Sequence, residues 1–202
     1  VRGGTQRVGT SSENTSLNYA NLRSNVIDQD RPGISNWYGL YSPIMQVNHF
    51  IQQVENECSF LDDTNRKHYL AQAYGLRALY YFMLYKTYRG VPIVTEVELL
   101  NGKVTADKFY VERATAEATL EFIKGDIQKS ENNYADITVT NSYDKTIWSK
   151  AATLMLKAEI YMWAAKVTIT GHTATGTTDL KVAQAALNQI IGKFELLSDF
   201  EN

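Results

Sequence analysis

The chain carries one cysteine, Cys58, in 202 residues. That excludes an internal disulfide and any cysteine-rich metal site. Proline is nearly as scarce, with three residues, which fits a helical chain with few irregular breaks. His49, His68 and His172 form no H-x-x-x-H pair, so no zinc or other metal site is expected. Twenty basic residues stand against 22 acidic ones, which leaves no electrostatic basis for nucleic-acid binding. No apolar run reaches the length needed to cross a bilayer. The nucleophile elbow, the P-loop and the dinucleotide-binding glycine fingerprint are also absent. The glycines of Val1–Gly9 follow no strand and open no helix, so no phosphate site or cofactor is expected.

Tyrosine is plentiful, with thirteen residues. The most informative stretch is HYLAQAYGLRALYYFMLYKTYRGVP, His68–Pro92. Leu70, Ala73, Tyr74, Tyr81, Leu84, Tyr85 and Tyr88 recur at helical steps on one side. Leu76, Leu79, Tyr80 and Met83 occupy the other. A helix apolar nearly all round must be covered on several sides. Ala71, Gly75 and Ala78 let other backbones approach closely. Gly90 suits a left-handed position just past the helix, and Pro92 forbids continuation.

Four further helices are expected. Ser35–Glu57 has Trp37, Leu40, Tyr41, Ile44, Val47, Ile51 and Val54 at helical spacing, with Pro43 either in its first turn after a Ser42 cap or kinking it. Phe60–Asn65 reads as a turn. Arg113–Tyr134 carries the stripe Ala116, Leu120, Ile123, Ile127 and Tyr134. Ile147–Lys166 shows two apolar faces, one of them Trp148, Ala152, Met155 and Met162. Asp179 can cap a last helix with Leu180, Ala183, Leu187, Ile190 and Ile191. Residues 1–34 are polar and loop-rich, and 135–145 and 168–178 are loops. Periodicity alone gives a helical-repeat-like chain without the consensus of about 34 residues.

The run AQAYGLRALYYFMLYKTYRGVPIVTE resembles the central signature of SusD/RagB-like outer-membrane glycan-binding lipoproteins. The family pattern A-x-A-x-x-L-R-A-x-x-Y-F-x-L followed by G-V-P falls on Ala71, Ala73, Leu76, Arg77, Ala78, Tyr81, Phe82, Leu84, Gly90, Val91 and Pro92. One departure is Arg89, where the family usually has a second glycine. Trp37, Tyr41, Ile44 and Asn48 match the preceding helix of the family. Arg113, Thr115, Phe122, Ile123, Asp126 and Ile127 match a later one.

The resemblance implies an all-α, tetratricopeptide-like helical repeat scaffold of about five main helices with long loops. It reads residues 1–202 as the N-terminal helical domain of a longer protein, loop-rich over 1–34 and helical over 35–202. Val1 in place of Met, and an end without a natural stop, point the same way. The implied protein is a surface-exposed outer-membrane lipoprotein of a Bacteroidetes-type bacterium. It would capture an oligosaccharide without catalysis and pass it to a SusC-like TonB-dependent transporter. Its only membrane attachment would be an N-terminal lipid anchor absent from this chain.

Sugar sites combine flat rings with amides, carboxylates and Arg. In the starch-binding member that names the family, the segment before the second helix supplies ligand contacts. This chain has no tryptophan between Val1 and Asn36. Tyr19 is the nearest substitute, and Arg7, Asn18, Asp28 and Asp30 complete the candidate site. A helical scaffold that binds a protein or peptide and no sugar is the alternative. Carboxylate pairs suited to glycoside hydrolysis are sought among Glu55, Glu57, Asp62 and Asp63, whose plainer reading is a solvated helix end and turn. Cys58 reads as a small, at least half-buried residue and no nucleophile. Arg77, set among apolar residues, is expected to pair structurally with Asp126 or Glu96.

Overall fold

Five helices account for most of the residues described by the computed structural model, which are 37–95, 111–139 and 147–194. In chain order they are α1 (Tyr38–Asn56), α2 (Asp63–Tyr88), α3 (Ala116–Asn133), α4 (Lys150–Lys166) and α5 (Thr177–Asn188). No strand occurs among the described residues; Pro92 with Arg113 and Ile169 with His172 form isolated antiparallel bridges. The chain divides into two units, Val1–Tyr41 and Ser42–Asn202. In the first, the rings of Trp37 and Tyr41 meet edge to face, centroids 6.1 Å apart. Helix α1 runs through Pro43 rather than starting at it.

In the second unit α2 is the central element. It starts earlier than its apolar periodicity suggests, because Asp62 accepts the Asn65 backbone N–H at 2.8 Å and so satisfies an otherwise unpaired first-turn donor. Phe60–Asn65 is therefore a turn only as far as Asp62. Leu70, Ala71, Ala73, Tyr74, Gly75, Ala78, Tyr81, Phe82, Leu84 and Tyr85 are buried. Burying each large side chain among them contributes roughly 1.5–3 kcal/mol. Helix α3 packs along it, α4 meets it over a shorter stretch than α3 does, and α5 packs on α4. Ile51 and Val54 of α1 join Leu70, Ala73 and Tyr74 in one cluster. The cover is incomplete: Leu76, Leu79 and Tyr80 are half-buried and Met83 is exposed.

Small residues set the close approaches. A Cβ on Gly75 would lie 2.2 Å from the Trp148 indole nitrogen. Trp148 precedes α4 instead of lying on it, because Ser149 caps the helix through the Ala152 N–H. The indole donates to Thr153 Oγ1 at 2.8 Å, Thr153 and Ser130 hydroxyls are 2.8 Å apart, and Ser130 donates to the Ala71 carbonyl at 2.6 Å. Since Ser130 spends its proton on Ala71, Thr153 must donate to Ser130, and the polar atoms form one directed chain from α4 through α3 to α2.

The end of α2 differs from expectation. The positive φ falls on Arg89 (φ 68°, ψ −119°), whose N–H bonds the Tyr85 carbonyl at 2.9 Å. Gly90 is needed for another reason: a Cβ there would sit 2.0 Å from the Ala114 carbonyl oxygen. Arg113 donates to the carbonyls of Tyr88 and Gly90, and Ala114 N–H bonds the Val91 carbonyl at 3.2 Å. Arg113 and Thr115 lie before α3 rather than in it, with Thr115 as its cap. A non-glycine residue in the glycine region costs on the order of 1–3 kcal/mol. A cation beside a helix C-terminus returns only about 0.3–1 kcal/mol at an exposed site.

Helix α5 is preceded by Gly176 at φ 63°. Asp179 is therefore no cap; it is buried in the first turn and accepts Lys124 Nζ at 3.1 Å. On the second apolar face of Ile147–Lys166, Trp148 and Ala152 are half-buried while Met155 and Met162 are exposed. His172 is buried, its ring nitrogens 3.2 Å from a Glu117 carboxylate oxygen and 2.9 Å from the Ala164 carbonyl. It thereby ties the α4–α5 connection to α3.

Candidate functional site

The residues proposed for ligand contact, Arg7, Asn18, Tyr19, Asp28 and Asp30, lie outside the described residues. Three of the four carboxylates weighed for hydrolysis have other partners, and Glu57 is exposed. Asp62 caps α2, Asp63 pairs with Lys67 at 2.9 Å, and Glu55 accepts the Tyr74 hydroxyl at 2.6 Å. Burial, reinforced by that bond, pushes the Tyr74 phenol well above its ordinary value. Cys58 is half-buried with a free thiol. Among the described residues no cluster of His, Cys, Asp or Glu has metal-binding spacing, and no helix is long and apolar enough to cross a membrane.

Arg77 has the structural role expected of it, with Asp126 as its acid; Glu96 lies outside the described residues. Its Nε and Nη2 meet the two Asp126 oxygens at 2.6 and 2.8 Å, and Nη1 reaches Asn48 Oδ1 at 2.9 Å. Burial works against the guanidinium charge, but hydrogen bonding to Asp126 holds its pKa above the usual value. Asn48 in turn donates to the Val94 carbonyl at 2.7 Å, and Val94 N–H donates to the Tyr81 hydroxyl at 2.8 Å. One buried network thus fixes α1, α2, α3 and the extended residues after the Gly90–Pro92 turn.

Two surface features remain open. A groove of about 440 Å³ runs between α1 and α2, walled by Phe50, Tyr69, Leu76 and Tyr80 with Gln46 and Gln72 at hand. Phe50 and Tyr69 meet edge to face at 6.2 Å. The groove lining contains no ionised side chain. Sequence periodicity assigned Leu76 and Tyr80 to a covered face. The signal that a surface groove remained was that apolar residues circle α2 completely, more than its neighbours can enclose. The second feature is the α2 terminus, where the exposed Arg89 guanidinium stands 5.9 Å from the Trp163 ring centre.

A family model described as "Starch-binding associating with outer membrane" matches residues 4–162. The chain belongs to the SusD-like family. It is similar to SusD-like protein P38 of Formosa agariphila, with 31% identity over 142 residues, covering 70% of this chain and 25% of that protein. Among solved structures it resembles a SusD superfamily protein of Bacteroides fragilis at TM-score 0.78 and 31% identity, covering 98% of this chain and 39% of the other. The B. fragilis protein NanU gives TM-score 0.73 and 32% identity, covering 89% and 34%. The chain therefore spans a quarter of that curated SusD-like relative and about two fifths or less of these solved chains. The SusD-like helical, tetratricopeptide-like scaffold accounts for the five helices and for the buried signature residues of α2.

Proposed function

We propose that this chain is the N-terminal helical part of a longer SusD-like protein that captures an oligosaccharide at the cell surface without cleaving it. The protein is held on the outer membrane by a lipid anchor outside this chain and hands its ligand to a SusC-like TonB-dependent transporter. The observation that carries the reading is the match of residues 4–162 to a starch-binding, outer-membrane-associated family. The structural employment of Glu55, Asp62 and Asp63 supports binding over hydrolysis. Capture would rest on rings stacking against sugar C–H faces and on amides, carboxylates and Arg meeting hydroxyls, with Arg7, Asn18, Tyr19, Asp28 and Asp30 as the proposed contacts.

The alternative, a protein or peptide partner, is favoured by the apolar, uncharged groove between α1 and α2. Calorimetric titration of the full-length protein with a panel of oligosaccharides separates the two. Saturable binding that Tyr19→Ala weakens, without release of reducing ends, is expected. Absence of binding across the panel overturns the reading, and so does turnover of any bound glycan.

A further inference from the structure

Arg89 holds a backbone conformation that side chains avoid, φ 68° with ψ −119°. Such strain persists only where something returns its cost. Glycine would hold the docked turn without that cost, and the side-chain contacts of Arg89 return little. Among the described residues, the hydrogen bond of the Arg89 guanidinium is one of 3.5 Å from Nη1 to the Lys86 carbonyl, and it faces no carboxylate. Its other contact is the Trp163 ring face at 5.9 Å. Acids on the neighbouring helices are already engaged, Glu117 with His172 and Glu159 with Lys86. Arg113 adds a second guanidinium to the same turn through the carbonyls of Tyr88 and Gly90.

We propose that the turn at Arg89 is a binding point for an oxyanion of the captured glycan, a carboxylate or sulfate group, with Trp163 supporting the guanidinium. A planar guanidinium offers paired donors that match the two oxygens of such a group. The indole, itself set against Tyr85 at 4.9 Å and His172 at 5.7 Å, is a fixed surface beside the guanidinium. This inference rests on the reading of the protein as a glycan-capturing one and names the class of glycan.

The test uses the full-length protein titrated with an oligogalacturonate, a sulfated carrageenan oligosaccharide and neutral maltohexaose. Arg89→Gly removes the charge and relieves the backbone; Arg89→Asn removes the charge with a residue that tolerates positive φ. Both variants are expected to melt at or above the parent temperature, while affinity for one acidic oligosaccharide falls tenfold or more and any neutral binding is unchanged. The carboxylate and sulfate arms tell which oxyanion is read. Acidic binding that survives both variants overturns the inference, as does a parent that binds only the neutral sugar, and in both cases glycan capture stands. A parent that binds none of these or of a wider panel removes the underlying reading as well.

Discussion

Asp126 grips Arg77 with both carboxylate oxygens, at 2.6 and 2.8 Å, inside the contact between α2 and α3. The side chains are 2% and 6% exposed, so neither charge has water to fall back on. Removing one partner leaves the other buried and uncompensated. Asp126→Ala is expected to lose about 3–5 kcal/mol in urea denaturation. Replacing both, Arg77→Met with Asp126→Leu, should recover most of that loss. A single variant as stable as the parent would show that the pair is open to solvent.

Alanine at three glycines should give three different outcomes. Gly90→Ala meets the Ala114 carbonyl oxygen at 2.0 Å, a backbone atom held by the docked turn, and should cost about 3 kcal/mol or more. Gly75→Ala meets the Trp148 ring, a side chain that can shift at the cost of its bond to Thr153, and should cost about 1–3 kcal/mol. Gly125, in α3, has nothing within 4 Å, and Gly125→Ala should stabilise by about 0.5–1 kcal/mol. Thermal melts rank the three. Equal effects at Gly90 and Gly125 would contradict the close approach of the turn to Ala114.

Alkaline unfolding follows from the buried phenols. Burial pushes Tyr81 and Tyr85 up to about 12 and moves Tyr74 and Tyr134 in the same direction. The unfolded chain ionises its tyrosines near pH 10. Between that pH and about 12 the unfolded state sheds protons that the folded state keeps, so stability is full below pH 10 and falls through this window. Absorbance at the tyrosinate band should show an early group of exposed phenols and a late group that appears together with loss of helix. Tyrosines titrating in one step near pH 10, with the helices intact, would contradict the burial.

The directed chain from Trp148 to Ala71 gives a fourth expectation. Thr153→Val is close in size but takes away both the acceptor for the indole and the donor to Ser130. A loss of about 1–3 kcal/mol is expected, because buried polar groups are left without partners. A changed Trp148 emission should accompany it, and Ser130→Ala alone should leave that emission nearly unchanged.

Much of the scaffold is written in local pattern. The apolar circuit of His68–Tyr88 and the stripe Leu120–Ile123–Ile127 appear in the fold, and of the two acids expected for Arg77 the described residues show Asp126. Helix ends were harder to read because caps act through single side chains. Asp62 reads as part of a turn, yet its carboxylate holds Asn65, and Asp179 reads as a cap, yet it is buried against Lys124. The glycine before Pro92 was legible as a special position, but its reason is a neighbouring backbone that no local pattern reveals. The groove along α1 and α2 escaped for a similar reason: periodicity tells which residues are apolar, and only three-dimensional packing tells which of them run out of neighbours. Arg89 stood out as a departure from the family pattern, though its φ could not be read from the letters.

Cys58 sits at the corner between α1 and α2, half-buried, its carbonyl accepting Arg66 Nη2 at 2.9 Å while Arg66 also holds the Val54 carbonyl. As the chain's sole thiol, it is a built-in probe. The speed at which a maleimide labels it counts how often this corner comes apart, and loosening the grip with Arg66→Ala should quicken the labelling without any engineered tag.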